Sequence, residues 1–150
     1  MGSRKTSLAY IQTLIRAQYS GTIGDRAYIL NSPLGFYTIH SYKMPSVGIV
    51  CLPGLPNKSK PKPQYWKRNI DIYVYQSIWK PETAVMGEGN TKGVLQMTDE
   101  LELILNNASN PPIGVVRIWV TGDIEPGQIP NFNSEGFSAF AGLKLSLTEE

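Results

Sequence analysis

The chain has 150 residues, a formal net charge of +2, one cysteine and one histidine. A chain of this length buries about two-thirds of the surface it would expose unfolded, so a single domain spanning 1–150 needs no covalent staple. One cysteine excludes an intrachain disulfide and a thiolate metal cluster, and the weak charge excludes a chain whose main task is holding nucleic acid by bulk electrostatics.

No apolar run approaches the roughly 18 residues of a membrane span. The apolar start is broken by Gln12 and Thr13 before a signal-peptide core is complete, so a soluble, non-secreted protein with no membrane partner is expected. Leu8, Ile11, Leu14, Ile15 and Tyr19 recur at helical spacing, with Thr6 or Ser7 as N-cap and Ser20-Gly21 as the stop. This predicts a short amphipathic helix packed on a sheet. Residues 26–30 and 36–40 read as short strands of a hairpin, joined through Asn31-Ser32-Pro33 and Gly35. Residues 47–52 form a mostly apolar, β-branched run that fits a central strand buried on both faces, with Cys51 as a small core thiol. Prolines then fill 53–66, and because they supply no ladder donor this stretch is expected to be an extended loop.

Residues 67–79 alternate strictly. Ile70, Ile72, Val74 and Ile78 fall on one face, and Asn69, Asp71, Tyr73, Tyr75, Ser77 and Trp79 on the other. The first face is core. The second mixes aromatic and hydrogen-bonding side chains, the composition enriched at protein contacts, so Asp71, Tyr73, Tyr75 and Trp79 are candidate subunit or partner contacts. Cross-strand tyrosine pairs within one sheet explain the same pattern equally well.

A second loop is expected over 80–92. Val94, Met97, Leu101, Ile104, Leu105 and Ala108 then form a stripe at helical spacing, closed by Asn106-Asn107 and Pro111-Pro112, which predicts a helix over 93–108. Val116, Ile118 and Val120 alternate as a strand, 122–136 reads as irregular, and Ala139, Ala141, Leu143, Leu145 and Leu147 mark a final strand whose Glu149 and Glu150 end in solvent. Strands separated by only two helices favour an α+β fold: a mostly antiparallel mixed β-sheet with two α-helices packed on one face.

Catalytic constellations are sparse. Gly87-Glu88-Gly89-Asn90-Thr91-Lys92-Gly93 opens a helix but lacks the Gly-Lys-Ser/Thr ending of a phosphate loop, and reads as a flexible connector. His40 would have to serve any Ser-His-Asp or Cys-His pair, and no nucleophile elbow lies near it. Asp99, Glu100 and Glu102 read as a solvated helix face rather than a metal site. No cofactor, no metal and no enzymatic activity are expected. Lys58, Lys60, Lys62, Lys67 and Arg68, with Tyr65 and Trp66, form a basic arm containing no acidic residue, which suits a partner protein or DNA.

The order of these elements resembles the tail terminator family of long-tailed bacteriophages, of the U type. The resemblance rests on the N-terminal helix over 7–18, the strand Asn69-Ile-Asp-Ile-Tyr-Val-Tyr-Gln76, the Gly/Asn loop, the Leu-rich helix over 94–107 and the strand Gly142-Leu-Lys-Leu-Ser-Leu-Thr148. It implies a structural virion protein of the head-tail junction, found in the host cytoplasm during assembly. Copies would form a ring, usually a hexamer, that caps the tail tube, stops its polymerisation and presents a surface to the head completion or connector protein, with DNA passing through the lumen. On this reading the ring closes through sheet edges and loops. The alternatives are a nucleic-acid-binding module using the arm over 58–68, or a small enzyme centred on His40.

Overall fold

A computed structural model describes residues 4–30, 44–52, 55–57, 65–77, 80–108, 111–130 and 137–149. The elements, in chain order, are α1 (Arg4–Gln18), α2 (Ser20–Ile23), β1 (Ala27–Leu30), β2 (Ser46–Cys51), β3 (Leu55–Asn57), β4 (Tyr65–Ser77), α3 (Pro81–Met86), α4 (Val94–Asn106), β5 (Val115–Pro130) and β6 (Phe137–Glu149). The strands form one mixed sheet in the order β1-β2-β4-β6-β5, so the fold is α+β. Among the described strands, only β1 and β2 run parallel; β2, β3 and β6 pair antiparallel with β4, as β5 does with β6.

The alternation over 67–79 makes β4 the central strand. β6 pairs with it from Trp66↔Glu149 to Ser77↔Ser138. Along the other edge, β2 lies opposite residues 70–75 and β3 opposite 65–67. Ile70, Ile72 and Val74 stand across from Leu145, Leu143 and Ala141 on one side and Cys51, Ile49 and Val47 on the other. That face joins the main core with Ile11, Leu14 and Ile15 of α1 and Val94, Met97, Leu101 and Leu105 of α4. The helical stripes thus meet the period-two stripe, which is the pattern an α+β core requires.

Several expectations are corrected. Among the described residues there are four helices, because α2 adds a turn where Ser20-Gly21 reads as a stop and α3 lies within the expected loop over 80–92. α3 has Pro81 at its first position and Glu82 in its first turn, both favourable where amide N–H groups lack helical partners. The 53–66 loop contains β3, which holds Pro56 opposite Trp66; proline is tolerated on a short edge strand. The stretch over 122–136 is strand as far as Pro130. Register shifts between Val115 and Arg117, Val120 and Gly122, and Ile124 and Gly127 break its alternation, so the period-two signal is lost although the ladder continues. The expected strand over 36–40, with His40, lies outside the described residues, as do Ile78 and Trp79.

Candidate functional site

The tyrosine face of β4 is a second core. Tyr75 is fully buried and Tyr73 nearly so, clustered with Leu30, Val50 and Ile129. Their rings lie 6.2 Å apart and stacked, and Phe140 meets Tyr73 edge-on at 6.1 Å, the offset and edge-to-face geometries that aromatic quadrupoles prefer. Gly48 makes room for this packing: a Cβ there would come within 3.0 Å of the Tyr75 ring. Burial pushes the Tyr75 hydroxyl above its ordinary range, and it does the same to Tyr73, with Asp71 adding to the effect. Tyr75 and Tyr73 are therefore internal packing residues, neighbours two apart on β4 rather than a cross-strand tyrosine pair, with Phe140 standing opposite Tyr75. Of the four candidates on this face only Asp71 is half-exposed, and Trp79 lies outside the described residues.

The basic arm divides in the same way. Lys58, Lys60 and Lys62 lie outside the described residues, and Lys67 is exposed. Arg68 is only 7 % exposed, and its Nε donates to Glu149 Oε2 at 2.9 Å. Ser7 Oγ donates to the other carboxylate oxygen at 2.7 Å. Glu149 is 1 % exposed, so the expectation that it ends in solvent is corrected, and Arg68 belongs to a clasp joining α1, β4 and β6 rather than to a free arm. The gain is geometric: a buried carboxylate must be hydrogen-bonded and paired, which fixes the register of three elements at once.

A second polar cluster sits where α1, α2 and α4 converge. Lys92 Nζ donates to Glu100 Oε2 at 2.7 Å and to Thr22 Oγ1 at 3.1 Å, and lies 5.7 Å from the Tyr19 ring centre. Tyr19 donates to the other oxygen of Glu100 at 3.2 Å. Burial, then the Glu100 charge, pushes the Tyr19 hydroxyl well above its ordinary range. Glu100 is thus half-buried and engaged, unlike its expected place on a solvated face. The loop before α4 is closed, not slack: Glu88 and Thr91 exchange backbone hydrogen bonds of 2.9 and 3.0 Å, and Gln76 donates to the Lys92 carbonyl. A cavity of about 420 Å³ opens beside it, lined by Thr22, Gln76, Asn90 and Lys92 among others. Its lysine is already neutralised by Glu100, so it presents mainly hydroxyl and amide groups. Cys51 is half-buried, and burial raises its thiol above the ordinary range, which suits a packing residue better than a thiolate nucleophile.

Among the described residues, both edge strands β1 and β5 carry a backbone group that a side chain already engages. On β1 the Ala27 carbonyl accepts from Gln12 Nε2 and Arg16 Nη2, both at 2.9 Å, so α1 side chains occupy an acceptor a neighbouring strand would need. On β5 the Val120 amide donates to Asn106 Oδ1 at 3.1 Å, and the register shifts with Pro126 interrupt the rest. These are the usual devices against edge-to-edge pairing.

The exposed apolar surface lies elsewhere, at the turn leading into β5. Ile113 is 89 % exposed and Val116 is 50 % exposed. Two open hollows, of about 630 and 170 Å³, meet at Tyr10; Lys5 and Pro112 border the first, Val116 and Arg117 the second. Sequence reasoning missed this surface because Tyr10 lies off the helical stripe and Pro111-Pro112 reads only as a helix stop. Ile113, a large apolar residue directly after two prolines in a turn, was the available signal. In comparisons with known proteins, no family model and no characterised sequence matches the chain. Among the described residues, no helix is long and apolar enough to cross a membrane.

Proposed function

We propose that this chain is a structural, non-enzymatic subunit of a bacteriophage head-tail junction, assembling into a ring that caps the tail tube and offers a surface to the head completion or connector protein. The observation that carries the reading is the pair of exposed apolar side chains Ile113 and Val116 at the turn into β5, beside hollows that meet at the half-buried Tyr10. Large apolar side chains exposed close together in sequence suit a protein contact, and they move the expected contact from the sheet edges to the helix and turn surface. The element order also supports it: the N-terminal helix, the long Tyr-bearing strand, the Leu-rich helix and the paired C-terminal strand all occur as discrete elements of one sheet and its helical layer.

Electron microscopy and sedimentation velocity of the purified protein, alone and with tail tubes, test the proposal. Closed rings, and tubes capped at one end with no further growth, are the expected result. A protein that stays monomeric at every concentration and ignores tail tubes would sink it.

A further inference from the structure

Resting on the assembly reading above, we infer that the two ends of the long strands are complementary halves of one head-to-tail contact between copies of this chain. β4 has 13 residues, so its ends lie about 40 Å apart at the usual rise of a strand. At its start, the clasp holds the first turns of α1 against β4 and β6, and Val115 pairs with Glu149. An apolar hollow at Tyr10 and Pro112, bordered by Lys5, lies at this end, with a smaller, more polar hollow beside it that Arg117 borders. Arg117 is held over the Trp119 ring at 4.9 Å, and both cations are on exposed residues. At the other end the chain passes from Ser77 into α3, whose Ala84 is buried in the main core.

There Met86 stands 63 % exposed, in a hollow that Glu82 and Glu88 also line. Thr83 Oγ1 donates to Glu88 at 3.2 Å, which holds that carboxylate in place, and Lys80 on the same hollow offsets part of the negative charge. One end is thus an apolar hollow bordered by Lys5, with Arg117 close by, and the other an exposed thioether set among two carboxylates and Lys80. A flexible, polarisable methionine fills irregular apolar hollows well, and complementary border charges fix orientation and exclude the reversed pairing. Like ends repel and unlike ends attract, so the contact is heterologous and propagates head to tail, closing into a ring where the rotation permits.

Charge swaps test it. Lys5→Glu with Arg117→Glu, and separately Glu82→Lys with Glu88→Lys, should each weaken self-association at least about tenfold in sedimentation velocity. The chain carrying all four swaps should recover it. Melting temperatures should barely change, because these side chains are exposed. Met86→Ser, which alters no charge, should also weaken association. If the parent assembles and the paired swaps assemble equally well, or the fourfold swap fails to recover, this contact is wrong while the ring reading stands. A parent that never assembles removes both.

Discussion

Asp71 occupies the middle of β4, opposite Lys144 of β6 and 3.4 Å from the Tyr73 hydroxyl. Burial raises its carboxyl above the ordinary range, outweighing the lowering by the Tyr73 hydrogen bond and by Lys144. A carboxyl with a raised folded-state pKa holds its proton more tightly when folded. Its contribution to stability therefore falls as pH rises from the unfolded value of about 3.9 through the raised folded one. At neutral pH the charge is a cost. Asp71→Asn should melt at or above the parent at pH 7, with the advantage fading as pH falls through the raised folded value and gone by about pH 4. A lower melting temperature at pH 7, read by circular dichroism, would mean that the carboxylate's two partners outweigh its burial.

Between elements, the clasp of Ser7, Arg68 and Glu149 makes the sharpest stability statement. Glu149→Ala strips a buried guanidinium of its carboxylate and should cost about 3–5 kcal/mol, whereas Arg68→Met with Glu149→Leu should come close to the parent, because a packed apolar pair replaces both charges. Denaturant melts of the two variants decide it, and equal losses in both would make the clasp a packing feature alone. Nothing local announces this pair: its members lie 81 residues apart, and a charge near a strand end reads as solvated. The main elements were legible for the opposite reason. β4, β6 and α4 each carry one regular apolar stripe that joins the main core, and a stripe is a local pattern. α3 has only six residues, too few for a period to emerge, and the shifts in β5 erase an alternation that its hydrogen bonds preserve. On the tyrosine face, period two tells which side a residue takes. It does not tell whether that side is covered, so Tyr73 and Tyr75 read as surface when they are core. The apolar surface at Tyr10 arises where three separate segments meet, and no single window of sequence contains it.

At the scale of the whole molecule, the sheet is assembled out of chain order. β4 lies between β2 and β6, and β6 arrives only after α3, α4 and β5. A chain still being synthesised therefore holds β4 bare along one side while more than fifty residues are added, and folding of such distant pairings is slow because loop closure precedes any reward. Chains stalled on the ribosome before residue 137 should be cut by protease within 65–77, and chains extended past residue 149 should resist. Protection already complete in the shorter chains would show that β4 needs no β6. Where β6 is required, the finished sheet comes to the chain late and all at once, and a prematurely terminated chain is left without the strand that completes it.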